Sequence, residues 1–234
     1  MSTFSPRMDI LPEAQRNIWP GLSVVSDLGF TLYGGTAIAL RYGHRESVDF
    51  DFFSEIPFEP DALVPRIPLL ERARPLQVGV NTYTAIVVDG ETGSGVKLSF
   101  FGGLRIGRIN SPSWTRDGVL RVADPLDLLA TKLKVILQRV EAKDYIDIAT
   151  LTREGVSLTE GLAAASIFYP QTFPPQQCIK TLTYFGDGDL RAVPQAERDQ
   201  LEKVTGSLLS LPVLSRGSDS LGSDIARPCE TPEP

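Results

Sequence analysis

The stretch from Phe30 to Phe53 constrains the fold more than any other part of the chain. It reads FTLY, then the pair Gly34 and Gly35, then TAIALRYG and, after a short connection, SVDFDFF. The β-branched and aromatic residues of FTLY predict a strand that ends at the glycine turn, and TAIALRYG predicts a short helix. The alternation of polar and aromatic residues in SVDFDFF predicts a second strand with two different faces.

Asp49 and Asp51 lie two residues apart in this second strand. Side chains two apart project to the same face, so the carboxylates point together while Phe50 and Phe52 point into the core. Two such carboxylates repel each other unless a cation neutralises them. A hard divalent cation, Mg²⁺ or Mn²⁺, is suited to the pair and also binds nucleotide phosphates. An Asp-x-Asp pattern alone is more typical of a solvent-facing edge strand.

The turn formed by Gly34 and Gly35 comes directly before the predicted helix. Backbone N–H groups and the positive end of a helix can hold a phosphate there, and Thr36 adds a hydroxyl donor. A Gly-Gly turn also forms where the backbone only needs a positive φ. The combination of GGT with an aspartate pair on the next strand is the more specific signal for a nucleotide site.

The rest of the chain extends this pattern. Residues 10–28 predict one or two short helices, and a further helix is predicted from Pro60 to about Arg72. The segments LQVGVN, TYTAIVVDG and GVKLSFFGG are rich in β-branched and aromatic residues and extend the sheet. From Asp124, an N-cap residue, the pattern becomes helical. Further helices are predicted over 158–168, 174–185 and 194–210.

We therefore predict an α+β fold. An α/β core over residues 1–122 contains a mixed sheet flanked by helices, and a helical part over 123–211 packs on that core. The segment 212–234 is polar and punctuated by Pro, Gly and Ser. Such a composition buries too little apolar surface to order itself, which predicts a disordered tail.

Bulk properties exclude several classes of protein. A net charge of −6 argues against a protein that coats nucleic acid with its whole surface. The segment from Lys97 to Lys143 nevertheless carries nine basic and four acidic residues, which fits either a local phosphate-binding face or solvated surface charge.

No apolar run approaches membrane-helix length and no secretory signal is apparent, so we expect a cytoplasmic protein without a membrane partner. Cys178 and Cys229 support neither a disulfide framework nor a thiolate metal site.

Four segments resemble a known family. GGTAIAL, HRESVDFDFF, LLATKLKVILQR and KDYIDIATL are similar to the nucleotidyltransferase AbiEii/AbiGii toxin family, part of the polymerase-β-like nucleotidyltransferase superfamily. The resemblance covers about Phe30 to Leu151, with the motifs in the family's order. It implies a nucleotidyltransferase fold, an NTP donor with Mg²⁺, and a toxin that adds nucleotides to RNA, tRNA in particular, under the control of an antitoxin.

The resemblance also implies roles for individual residues. Gly34, Gly35 and Thr36 are expected at the donor phosphates, and Asp49 and Asp51 at the metal.

His44, Arg45 and Ser47 match the family pattern HRxSxDxDF. Arg45 and Ser47 are expected to help bind the nucleotide, and the alternative for Arg45 is an ion pair with Glu46 or another surface acid. For His44, a hydrogen bond that orders the loop is favoured over proton transfer.

Superfamily members commonly carry a third carboxylate on a neighbouring strand. In GVKLSFFGG, alternation places Lys97, Ser99 and Phe101 on one face, so that Ser99 is expected where an acid often stands. A serine hydroxyl is a poor metal ligand and no general base near neutral pH. Lys97 is expected either to face a phosphate or to be an exposed strand lysine.

The helical half supplies the remaining expected site residues. Lys132 lies on the flank of an apolar stripe that runs to Val140, and it matches the family's helical lysine. It is expected either to contact a phosphate or to snorkel from the edge of the core. Asp144 and Asp147 share a helix face and are expected to orient Lys132 or Arg139, while Asp144 has the alternative role of helix N-cap.

Together these features predict a metal-dependent nucleotidyltransferase that moves an NMP from an NTP to a hydroxyl acceptor. By resemblance the acceptor is RNA, tRNA in particular, and the protein is the toxin of a toxin–antitoxin or phage-defence pair. The catalytic set is Asp49, Asp51, Lys132 and Asp147. An alternative remains open, in which a degenerate nucleotidyltransferase binds NTP or RNA without turnover and acts through a protein partner.

Overall fold

The structure, a computed structural model, describes residues 2–207 and 210–228. The chain forms two compact units that are discontinuous in sequence. The first unit consists of the described parts of 1–105, 111–123 and 220–234, and the second consists of 106–110 and the described parts of 124–219. The secondary-structure pattern predicts two continuous segments, 1–122 and 123–211, whereas each compact unit combines separate segments of the chain.

The first unit contains an eight-stranded sheet in the part of the chain that the structure describes. Its strands are β1 Thr3–Phe4, β2 Thr31–Tyr33, β3 Asp49–Phe53, β4 Arg74–Gly79, β5 Thr82–Val88, β6 Gly95–Phe101, β7 Ser113–Thr115 and β8 Arg121–Val122. Their order across the sheet is β1-β7-β8-β2-β3-β6-β5-β4. β3 pairs parallel with β6 and antiparallel with β2, so the sheet is mixed. This architecture confirms the predicted α+β fold class.

One face of β3 carries the aromatic core of the unit. Phe50 and Phe52 are fully buried, as the alternation in SVDFDFF predicts. The ring of Phe52 stacks on that of Phe100 from β6, with centroids 5.2 Å apart. Burial of these large side chains fixes the register of β3, because a slip by one residue would turn the phenylalanines to the opposite face.

Four helices belong to the first unit within its described residues: α1 Glu13–Ile18, α2 Ser23–Asp27, α3 Gly34–Tyr42 and α4 Pro60–Leu63. The helix predicted from Pro60 to about Arg72 is wrong in its length. α4 ends at Leu63, and 3-10 turns follow at Val64–Arg66 and Pro68–Leu70. Pro65 and Pro68 cause the interruption because proline lacks the N–H that an α-helix needs.

The second unit is helical, with α5 Pro125–Val135, α6 Ala142–Arg153, α7 Leu158–Phe168, α8 Pro175–Leu182 and α9 Gln195–Gly206. The Asp124 side chain accepts a hydrogen bond from the Leu126 N–H, which confirms the predicted N-cap. The predicted apolar stripe extends too far, since α5 ends at Val135 and Val140 is 42% exposed. Residues 136–141 instead connect α5 with α6.

Part of the segment that composition assigns to a disordered tail packs on the first unit. Leu221 is 1% exposed, and the Trp114 indole N–H donates a hydrogen bond of 2.8 Å to the Ala226 carbonyl. The prediction of disorder considers only the apolar surface that the segment can bury. Side chains elsewhere in the first unit also donate hydrogen bonds to its backbone carbonyls and so hold it in place. Residues 229–234 of the predicted tail lie outside the described residues.

Among the described residues, no helix combines the length and the apolar character that crossing a membrane requires.

Candidate active site

Asp49 and Asp51 lie on one face of β3, opposite the buried aromatic face. Both side chains are half-buried. The parallel pairing of β3 with β6 places Lys97 beside Asp49 and Ser99 beside Asp51. Directly paired residues of neighbouring strands share a face, so four polar side chains meet on this side of the sheet. The two carboxylates thus lie on one face of β3, and the buried phenylalanines on its opposite face hold the strand in position.

Gly34 begins α3 at the carboxylate of Asp51. Its φ is +74°, in the left-handed region that favours glycine. A Cβ atom at this position would lie only 2.5 Å from Asp51 Oδ2. Glycine at position 34 therefore allows both the positive φ of the turn and the close approach of α3 to the Asp51 carboxylate. Tyr33, which precedes the helix, makes no side-chain cap, and the positive helix end stabilises a negative group placed there.

Thr36 and Ser47 lie beneath Asp49, inside the unit. The Thr36 side chain, only 1% exposed, donates a hydrogen bond to the main-chain carbonyl of Asp49. Its hydroxyl is also 2.7 Å from that of Ser47. These bonds tie the first turn of α3 to the start of β3 and so position Asp49. The contact with donor phosphate that we expect for the two hydroxyls stays a prediction.

His44 and Arg45 lie on the connection before β3, and both are half-buried. The Arg45 guanidinium donates a hydrogen bond of 2.9 Å to the carbonyl of Glu46. This hydrogen bond stabilises the conformation of the connection. A phosphate contact by Arg45 stays a prediction.

Lys97 forms an ion pair with Asp49, with 2.9 Å between Nζ and Oδ2. Ser99 is 3% exposed and stands beside Asp51, where the resemblance leads us to expect a third acid. No group of three or more His, Cys, Asp or Glu side chains suited to a metal ion occurs within 2–207 and 210–228. Among the described residues, Asp49 and Asp51 are thus the acidic side chains that face this site, and Lys97 forms an ion pair with the first of them.

The register across the sheet adds residues that the sequence alone does not reveal. Thr84 of β5 pairs with Ser99 and extends the polar row that begins at Asp51. Phe53 stacks on Tyr33, with ring centroids 4.7 Å apart, and contacts Phe101 edge-on at 5.6 Å. Alternation within each strand shows which residues share a face, but only strand pairing shows which of them are neighbours.

The second unit contains a buried ion network that joins α5 to α6. The side chain of Lys132 is 6% exposed, and its Nζ lies 2.7 Å from Asp144 Oδ1 and 2.6 Å from Asp147 Oδ2. Arg139 Nε lies 2.8 Å from the other oxygen of Asp144. One ammonium thus bridges two carboxylates that are three residues apart on α6.

The charge state of Asp144 follows from these partners. Burial by itself raises the pKa of its carboxyl, but hydrogen bonds and charge from Arg139 and Lys132 outweigh burial and lower it. Asp144 lies in the first turn of α6, which Glu141 precedes as N-cap residue. The alternative role of Asp144 as a helix N-cap is therefore wrong, while its expected contact with Lys132 and Arg139 is observed.

Comparison with known proteins shows the family of the chain. The family model described as nucleotidyl transferase AbiEii toxin, type IV TA system, matches residues 24–205. The chain is also 34% identical over 161 residues to the uncharacterized protein aq_aa25 of Aquifex aeolicus (strain VF5), a match that covers 68% of this chain and 74% of that protein. Residues 24–205, which the family model matches, include Asp49 and Asp51 on β3 and the ion network around Lys132. The chain therefore belongs to the nucleotidyl transferase AbiEii toxin family of type IV toxin–antitoxin systems.

Proposed function

We propose that the chain transfers a nucleoside monophosphate from an NTP to a hydroxyl group of RNA, tRNA in particular, and releases pyrophosphate. The observation that carries this proposal is the placement of Asp49 and Asp51 on one face of β3, next to the first residue of α3. A carboxylate pair beside a helix N-terminus suits both a divalent cation and a triphosphate.

The residues present fit Mg²⁺ or Mn²⁺. Mg²⁺ commonly binds proteins through one or two carboxylates and takes its remaining ligands from substrate phosphates and water. Asp49 and Asp51 supply two carboxylates, and Gly34, which has no side chain, avoids a clash with the Asp51 carboxylate. A bound cation at this site would neutralise charge that develops on the phosphates during transfer.

The transfer itself requires little covalent chemistry from the protein. An acceptor hydroxyl oxygen forms a bond to the α-phosphorus while the bond from that phosphorus to the pyrophosphate oxygen breaks. The hydroxyl proton passes to water, because Ser99 stands in the place of a third carboxylate and is no base near neutral pH. The protein contributes chiefly by orienting the reactants and by stabilising charge.

Asp144 and Asp147 hold the Lys132 ammonium in one position within the second unit. The catalytic roles of Lys132 and Asp147 that the family resemblance implies stay predictions. Gly35, Thr36, Arg45, Ser47 and Lys97 complete the proposed nucleotide-binding set. Membership of a type IV toxin–antitoxin family also implies an antitoxin partner.

Ser99 favours a second candidate function. A site with two acids among the residues that the structure describes is also consistent with binding NTP or RNA without turnover, with the toxic effect arising through a protein partner. The two candidates differ in whether toxicity needs the carboxylates.

The growth of bacteria in which expression of the chain is induced distinguishes these two candidate functions. Asp49→Asn and Asp51→Asn preserve side-chain shape, and Asp61→Asn removes a carboxylate from an exposed position of the same unit. Growth arrest by wild type and Asp61→Asn, but not by either site variant, would support the transferase. Arrest that survives in the double Asp49→Asn, Asp51→Asn variant would support the non-catalytic candidate instead.

A further inference from the structure

The ion pair between Lys97 and Asp49 occupies the proposed metal site. Lys97 Nζ lies 2.9 Å from Asp49 Oδ2, and the two side chains are 36% and 33% exposed. Strand pairing fixes the partnership, because β3 and β6 place these two residues directly side by side. An ion pair with this exposure contributes little to stability, so either partner can exchange it for another ion at low cost.

Charge at the site argues for such an exchange. The Lys97 ammonium lies within ion-pair distance of the Asp49 carboxylate and neutralises its charge. No further acid joins Asp49 and Asp51 as a third ligand in the described part of the chain. A divalent cation that arrives alone therefore meets a weak ligand set and a competing cation. A cation that arrives with a triphosphate brings its own additional oxygen ligands.

We propose that Lys97 is an exchangeable counter-ion that makes metal binding depend on nucleotide. In the free protein its ammonium neutralises Asp49 and opposes entry of a divalent cation. When the nucleotide enters, its phosphates offer the ammonium a replacement anion, and the carboxylate of Asp49 becomes free for the metal. The inference rests on the proposed function, and it concerns the order in which the ligands bind. No bond to the reacting phosphorus involves Lys97.

Mn²⁺ binding tests this inference without any turnover. Free and bound Mn²⁺ are distinguished by electron paramagnetic resonance, with and without α,β-methylene analogues of the four NTPs, which cannot transfer the nucleotide. The variants are Lys97→Met, which keeps the length but removes the charge, and Lys97→Arg, which keeps the charge. Lys143→Met is the matched control, because it removes one positive charge from an exposed ion pair with Glu141 in the second unit. Asp49→Asn, Asp51→Asn gives the baseline, and circular dichroism checks folding.

Wild-type protein is expected to bind Mn²⁺ weakly alone and at least tenfold more tightly with an analogue. Lys97→Met is expected to bind Mn²⁺ alone about tenfold more tightly than wild type and to gain less from the analogue. Lys97→Arg and Lys143→Met should behave as wild type.

Two outcomes overturn the inference in distinguishable ways. If wild type binds Mn²⁺ with the analogue and Lys97→Met shows no gain without it, Lys97 is not a counter-ion and the proposed metal site survives. If neither protein binds Mn²⁺ above the baseline under any condition, the metal-dependent function fails together with the inference.

Discussion

Asp51 and Ser99 stand side by side on the parallel strands β3 and β6, so a serine occupies the position next to the second aspartate. A neutral hydroxyl at this place neither holds a metal strongly nor takes up a proton near neutral pH. In the proposed site, the acidic ligands among the described residues are therefore Asp49 and Asp51, and this can be tested residue by residue.

Ser99→Ala is expected to retain nucleotidyl transfer within about threefold of wild type, because the lost hydroxyl is not a ligand or a base. Asp51→Asn is expected to lower transfer by about a hundredfold or more, because it removes half of the acidic ligand set. Initial rates at saturating NTP measure both. A loss in Ser99→Ala as deep as that in Asp51→Asn would show that the serine takes part in the reaction.

Gly34→Ala is expected to abolish transfer. The new methyl group would lie 2.5 Å from Asp51 Oδ2 and displace the carboxylate. Gly93→Ala separates this clash from backbone strain, since Gly93 has a similar φ of +70° but no heavy atom within 4 Å of an added Cβ. Both variants should lose about 1–2 kcal/mol of stability through strain. Equal activity of the two variants would mean that the approach of α3 to Asp51 is unimportant.

Lys132→Met is expected to lower the free energy of unfolding by about 3–5 kcal/mol, because it leaves the buried carboxylates of Asp144 and Asp147 without their shared cation. Lys143→Met, which breaks only an exposed pair, should change it by less than about 1 kcal/mol. Urea unfolding followed by circular dichroism measures both. The addition of Asp147→Asn should restore part of the loss in Lys132→Met, and a double variant no more stable than the single one would contradict the network.

Asp127 is expected to make the stability of the second unit depend on pH. Burial raises the pKa of this carboxyl to about 7, even though the Ile109 N–H donates a hydrogen bond to it. Because the pKa in the folded state lies above the ordinary value of 3.8, the folded protein holds a proton that the unfolded chain releases between these values. Its contribution to stability therefore falls as pH rises from about 4 to about 7.

Asp127→Asn should flatten this dependence, since the amide oxygen still accepts the hydrogen bond and the group no longer ionises. Urea unfolding at about pH 5 and about pH 8 gives the slope. Asp61→Asn, an exposed carboxylate, should leave the slope unchanged. An Asp127→Asn variant with the wild-type slope would place the titrating group elsewhere.

The sequence predicts the parts of this molecule that depend on local pattern. The shared face of Asp49 and Asp51 follows from the two-residue period of a strand. α7 spans the predicted residues 158–168, and the Ser157 side chain caps its first turn. Pro65 and Pro68 also indicate an early end of α4. The apolar pattern of that segment, which favours a longer helix, led to the wrong length.

Relationships between distant segments escape such patterns. The pairing of Asp49 with Lys97 and of Asp51 with Ser99 depends on which strands become neighbours. The packing of the 220–228 segment likewise depends on donors far away in the sequence, such as Arg121, which donates to the Ile225 carbonyl at 2.9 Å.

Label transfer from each α-³²P-labelled NTP to purified tRNA, with Mg²⁺ and folded protein, tests the central claim most directly. We expect label in the tRNA with wild type and with Asp61→Asn, and none with the double Asp49→Asn, Asp51→Asn variant. Label that persists in the double variant, or that fails to appear with wild type for every NTP, would contradict a transferase built on these two aspartates.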